Sequence, residues 1–166
     1  MHVKGVTGTL PFSPFPQFLG AAAVVGAGAV AEGQVEFAGA VENSQVPGWY
    51  QSARIAVIPS VVAADGDREG LGLVAVEALG CGCATIVSDL PALGDVVTDG
   101  ENGLVFRAGD AQDLATKIRR IIGDDNLYKQ LARNSSRSVV EKFDWQRVGR
   151  RYLEIIEQCL ETPPRR

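Results

Sequence analysis

An α/β fold, a doubly wound parallel sheet flanked by helices, is predicted by three observations. Two short β-branched apolar runs, Arg54-Ile-Ala-Val-Ile-Pro-Ser60 and Ala84-Thr-Ile-Val87, are continuous rather than alternating, as in strands covered on both faces. The segment between them, Gly72 to Cys81, has helix length, so the order is strand, helix, strand, a βαβ unit. A chain of 166 residues, 46% hydrophobic, is long enough for one domain with its own core.

The first third of the chain predicts least. Met1 to Phe18 carries Pro11, Pro14 and Pro16 and reads as irregular or extended. Phe18 to Glu32 is apolar enough for a helix, or for a strand at Ala23 to Val25 followed by a Gly26-Ala-Gly28 turn. Residues 1–34 are therefore set apart as a divergent, partly irregular segment, and residues 35–166 as the domain. The Gly26-x-Gly28 pair invites a dinucleotide-binding reading, but the third glycine is missing and Glu32 comes too soon for the ribose-binding acid.

The later elements follow in order. The strand run from Arg54 stops at Pro59, and Gly80-Cys81-Gly82-Cys83 makes the turn into the next strand, which ends at Ser88-Asp89. Pro91 suits the first turn of a helix. Thr98 to Gly103 is a turn and Leu104 to Phe106 a short strand. Gly109-Asp110 leads into an amphipathic helix with Leu114, Ile118, Ile121 and Ile122 on one side. Two further helices are predicted over 126–142 and 145–160.

Chemistry concentrates at the start of the first of these helices. Glu69-Gly-Leu-Gly-Leu-Val-Ala-Val-Glu77 sets two carboxylates around a helix N-terminus. From Gly72 to Cys81 every side chain except Glu77 is apolar or glycine, which predicts a buried helix and a Glu77 in need of a donor. Gly70 and Gly72 let the backbone approach another molecule, and the free N–H groups of a first turn attract an anion. Glu77 would lie roughly 7 Å further along the helix, about the distance from a nucleotide's phosphate to its ribose. Alternatively, Glu77 pairs with a buried Arg or sits at a domain edge, and Glu69 is a solvated loop acid beside Arg68. In an open α/β sheet the loop from Val61 to Arg68 and the turn at Gly70 would lie where ligands bind, outside the carboxyl ends of the strands.

Several blocks in order carry a family resemblance: Pro59-Ser60, Glu69-Gly-Leu-Gly-Leu-Val, Glu77-Ala-Leu, Cys81-Gly82, Ser88-Asp89-Leu and Asp99-Gly-Glu-Asn-Gly-Leu-Val105. They resemble the nucleotide-sugar-binding, carboxyl-terminal half of GT-B-fold retaining glycosyltransferases of family 4, the glycosyl transferases group 1. The seven residues between the glutamates match that family's E-x7-E motif. Similarity runs from about Val35 to Leu160. The resemblance implies a Rossmann-like half of a GT-B fold and transfer of a hexose from a UDP- or GDP-sugar with retention. It implies no metal and no cofactor beyond the nucleotide sugar, which is the donor substrate. Glu69 becomes the catalytic-site acid beside the donor sugar and diphosphate; the backbone of Gly70, Leu71, Gly72 and Leu73 faces the diphosphate; Glu77 binds ribose hydroxyls. The strand Val35-Glu-Phe-Ala38 would follow the Gly-x-Gly turn after a shortened helix.

The chain departs from the family at two places. Members usually have an Arg and a Lys after the first strand of this domain, where this chain has only Lys4 before Arg54; charge-assisted contacts to a departing diphosphate are lost. After Asp89, where many members have a glycine pair, this chain has Leu90-Pro91-Ala92-Leu93-Gly94-Asp95, and Asp95 stands where Glu is common. The resemblance therefore implies a domain that acts when completed by an N-terminal acceptor domain. The alternative is a non-catalytic nucleotide-binding or interaction module that keeps the fold.

Net charge of −4 and a pI near 5.0 give no general attraction to nucleic acid or an anionic membrane. Lys117, Arg119 and Arg120, and Arg147, Arg150 and Arg151, fall on helix patterns and read as solvated faces, so peripheral membrane contact is unsupported. Three cysteines without a signal peptide suggest reduced thiols and a cytoplasmic protein, and no metal is expected with His2 the single histidine. On the last helix Trp145, Tyr152, Leu153 and Ile156 would face the acceptor domain or, without it, a second copy in a homo-oligomer.

Overall fold

The structure is a computed structural model that describes residues 23–25 and 161 in backbone alone, and residues 41–62 and 72–160 in full. Its elements are β1 (Ala23–Val25), α1 (Val46–Ser52), β2 (Ile55–Ile58), α2 (Leu73–Gly80), β3 (Ala84–Ser88), α3 (Pro91–Gly94), β4 (Gly103–Phe106), α4 (Ala111–Gly123), α5 (Asp125–Phe143) and α6 (Trp145–Glu161). The division at residue 34, the Gly26-Ala-Gly28 turn and the strand expected at Val35 to Ala38 lie outside the described residues.

Among the described residues, four strands form one sheet in the order β1-β2-β3-β4. β2, β3 and β4 are parallel, with Ile55 opposite Ala84 and Thr85 opposite Gly103. This is the expected parallel sheet flanked by helices. β1 differs: of the helix and the strand left open for this stretch, the strand at Ala23–Val25 forms, and it runs antiparallel to β2, pairing Ala23 with Val57. A three-residue strand at the edge of a parallel sheet can pair in either direction, and antiparallel edges are common on such sheets.

Helices cover both faces. On one, Ala56, Ile58 and Val87 pack with Tyr50 of α1, Ala75, Ala78 and Leu79 of α2, and Leu93 of α3. On the other, Ile55, Val57, Ala84, Ile86, Leu104 and Phe106 pack with Ile121 of α4 and Leu131 of α5. The alternation along β2 and β3 follows from the strand's two-residue period, so both faces must be apolar. Ile55, Ile58, Ile86, Leu93 and Leu104 are fully buried, each contributing about 1.5–3 kcal/mol by leaving water.

Local chemistry fixes the element ends. Asp110 and Asp124 cap α4 and α5, each accepting from two backbone N–H groups of the first turn. Gly103 starts β4 with its Cα so close to the Thr85 carbonyl and Val97 that a Cβ would sit 2.7 Å from both. α1, which the sequence patterns do not announce, begins at Val46 with Pro47 in its first turn and contains Gly48.

Candidate functional site

The parallel strands β2 and β3 end at Ile58 and Ser88, and the chain leaves β2 through Pro59, Ser60, Val61 and Val62. α2 begins at the same end of the sheet, since it follows β2 and runs back toward the start of β3. Its N-cap, Gly72, is buried and holds φ +68°, a left-handed conformation. A Cβ there would lie 2.7 Å from Leu93 Cδ2, so glycine is required both by backbone angle and by the close approach of α3. The Gly72 carbonyl accepts from the N–H groups of Ala75 and Val76 at 2.9 and 3.1 Å.

The N-cap residue Gly72 supplies no side-chain cap, and no acid lies in the first turn of α2. Leu73, 61% exposed, stands at this end, and Glu77 is exposed four residues on, so both lie on one outward stripe.

The expectation of a fully buried α2 with a buried Glu77 is corrected here. Ala75, Ala78 and Leu79 face the core, while Leu73, Glu77 and Gly80 face outward. Among the described residues no ion pair includes Glu77. An exposed carboxylate keeps its hydration and needs no buried donor, which removes the pairing with a buried Arg. Its field still reaches inward: burial, then the Glu77 charge, raises the Tyr50 phenol to about 12, and the same two causes raise the Cys81 thiol. Cys83 is pushed up to about 12, chiefly by burial, and its Sγ donates to the Ala53 carbonyl at 3.6 Å. All three cysteines are free thiols.

Glu69, Gly70 and Leu71 lie outside the described residues; of the predicted set, Gly72, Leu73 and Glu77 are placed, and all three share the opening turns of α2. Other residues complete this rim without having been assigned a role from sequence. Ser88 donates its hydroxyl to the Ser60 carbonyl at 2.6 Å, and Asp89 accepts from the Ala108 N–H at 2.8 Å. Both belong to a quoted motif block, but hydroxyl and carboxylate partners are not visible in a linear pattern. A cleft of about 260 Å³ lies elsewhere, between the turn at Thr98 to Asn102 and α5, lined by Arg137, Ser138 and Glu141. It has no part in this rim.

Comparison with known proteins places these features in context. The family model described as glycosyl transferases group 1 matches residues 29–138. An uncharacterized glycosyltransferase of Methanocaldococcus jannaschii, MJ1178, is 31% identical over 124 residues, which is 75% of this chain and 33% of that protein. Sucrose-phosphate synthase from Thermosynechococcus elongatus superposes with a TM-score of 0.64 at 28% identity, over 76% of this chain and 30% of that one. Anabaena HepE in complex with UDP-glucose superposes with a TM-score of 0.65 at 24% identity, over 76% of this chain and 33% of that one, a likeness of fold. The chain spans about a quarter to a third of the length of the curated relatives it matches.

Proposed function

The chain belongs to the glycosyl transferases group 1 family, and on that premise we propose that it is the donor-binding part of a retaining hexosyltransferase using a UDP- or GDP-sugar. The observation that carries this reading is the start of α2 at left-handed Gly72, with exposed Glu77 one turn beyond Leu73. The backbone of Gly70 to Leu73 would hold the diphosphate, Glu77 the ribose hydroxyls, and Glu69 the donor sugar beside the reacting carbon. Backbone N–H groups and a helix dipole supply the positive field that a diphosphate needs, and a carboxylate accepts from two vicinal hydroxyls. HepE was crystallised with UDP-glucose, which favours uridine as the first base to test.

The acceptor side would come from a further domain that covers α6, and the whole transfer reaction would need both. Without that domain this chain would bind donor weakly and pair through α6 with a second copy. The missing Arg and Lys favour a second reading, a nucleotide-binding module without turnover.

Calorimetric titration with UDP, GDP and ADP tests the site. One nucleoside diphosphate is expected to bind, and Glu77→Ala to weaken it about tenfold or more, as expected for lost charge-assisted hydrogen bonds of roughly 1.5–3 kcal/mol. Equal affinity in wild type and Glu77→Ala rules out the ribose role.

A further inference from the structure

α6 carries its charges in two blocks. Arg147, Arg150 and Arg151 fall in its first two turns, and Glu154, Glu157 and Glu161 follow in the rest. Arginine before glutamate is the weaker order for pairs inside a helix, and it sets cations near the positive end of the dipole and carboxylates near the negative end. One internal pair forms, Arg151 with Glu154 at 3.1 Å. The start of α6 is covered from outside the helix, where Asp144 accepts from the N–H groups of Gln146 and Arg147 at 3.0 and 3.2 Å. The two blocks therefore do little for their own helix. Along the same helix Trp145, Val148, Tyr152, Ile155, Ile156 and Cys159 recur at helical spacing, which sets them on one face. All of these except the half-buried Val148 are exposed. Gly149 lies on that face too, and a Cβ added there would meet nothing within 4 Å.

We propose that α6 is a self-complementary docking surface that takes α6 of a second copy antiparallel, so that the arginine block of each helix meets the glutamate block of the other. The proposal rests on the pairing through α6 set out above and gives it a direction and a register. With the twofold axis level with Glu154, Tyr152 lies across from Ile156 of the second copy and Gly149 across from Cys159 of the second copy. In the same register Arg151 is level with Glu157 of the second copy and Arg147 with Glu161 of the second copy, and the symmetry repeats each pairing. Glu154 lies on the opposite side of the helix from Trp145, Tyr152 and Cys159, away from its own image. A parallel pair would instead set arginine level with arginine and glutamate with glutamate, a repulsion that selects against that direction.

The test uses the full chain at high micromolar concentration, with copper–phenanthroline as oxidant and the disulfides located by peptide mass mapping. In the antiparallel pair the two Cys159 residues are about 15 Å apart along the helices, at 1.5 Å per residue. A disulfide needs its Cα atoms within about 7 Å. The wild-type chain is therefore expected to form no bond between its Cys159 residues, whereas Gly149→Cys is expected to give a covalent dimer through the new thiol and Cys159. A charge exchange checks the recognition by light scattering. Arg147→Glu with Arg151→Glu makes α6 acidic overall, and Glu157→Arg with Glu161→Arg makes it basic. Each double variant alone should raise the dimer dissociation constant about tenfold or more through like-charge contacts, and an equimolar mixture of the two should regain the dimer mass. A Cys159 to Cys159 bond in the wild type, a dimeric Gly149→Cys chain without the expected bond, or a mixture that stays monomeric would each overturn the proposal. A monomeric wild-type chain sinks the pairing through α6 altogether, and the donor-site reading is decided separately by the nucleotide titration.

Discussion

Gly72 concentrates two separate constraints in one residue. Its φ of +68° costs an L side chain about 1–2 kcal/mol, and its missing Cβ makes room for Leu93, which is itself fully buried and cannot swing into solvent. Gly72→Ala is therefore expected to cost about 2–4 kcal/mol, measured by urea denaturation, because overpacking adds to the backbone strain. A loss below 1 kcal/mol would mean that Leu93 moves aside freely. Glu77→Ala should leave stability within about 0.5 kcal/mol, since an exposed side chain outside any ion pair contributes little to the fold. That contrast separates a residue that shapes the site from one that presents chemistry to it. The two were unequally legible. A glycine pair before an apolar helix announces a close backbone approach, so Gly72 could be picked out from its neighbours alone. The outward direction of Glu77 could not, because a helix that is apolar on every side gives no sign of which side the sheet will cover.

At the scale of elements, α5 holds the lower part of the domain together. Arg54, just before β2, forms an ion pair with Asp125 in the first turn of α5, and its guanidinium stacks over the Tyr128 ring at 4.2 Å. The hydroxyl of buried Ser135, further along α5, lies within hydrogen-bond distance of the carbonyl groups of Cys83, Asn102 and Leu131, at 3.1, 3.0 and 2.7 Å, and has one hydrogen to share among them. The Arg54 hydrogen bond and charge hold the Asp125 carboxyl below the usual carboxylate range. A carboxyl whose folded pKa is depressed adds stability that is present above the unfolded value of about 3.9 and is lost as pH falls through the folded value. Thermal melts between pH 6 and pH 2 should therefore show a smaller acid-induced drop for Asp125→Asn than for wild type; identical profiles would mean the pair is fully screened by water. At this scale the sequence was informative wherever a whole face is apolar or a cap is acidic. The βαβ unit, β4 and the three long helices α4, α5 and α6 lie where the patterns put them, to within a few residues. α1 was missed because Pro47 and Gly48 sit inside it, and breaker residues mask a seven-residue helix whose buried anchor is Tyr50. The direction of β1 was illegible for a related reason, since three apolar residues fit an edge strand equally well either way.

The molecule as a whole is unequal in how well it covers its own apolar surface. The sheet and α2 to α5 enclose two cores, but α6 buries none of its described side chains: Trp145 is 85% exposed and Leu160 78%, with Tyr152, Leu153, Ile155 and Ile156 also open. These positions repeat at helical spacing, so the face is a continuous stripe rather than scattered side chains. A stripe of that kind is paired in water whenever a complementary surface is at hand, and the homo-oligomer proposed for this chain would supply it as the same stripe on a second copy. Light scattering on the 166-residue chain should accordingly show a mass that rises with protein concentration into the high micromolar range. Tyr152→Lys combined with Ile156→Lys should return it to the monomer. Because neither side chain belongs to the enclosed cores, the double variant should keep the melting temperature of wild-type monomer, whereas Leu131→Ala, in the buried cluster under β3, should lower stability by about 2–5 kcal/mol. A wild-type chain that stays monomeric at those concentrations would show that α6 can remain in water, and the apolar stripe would then carry no association of its own.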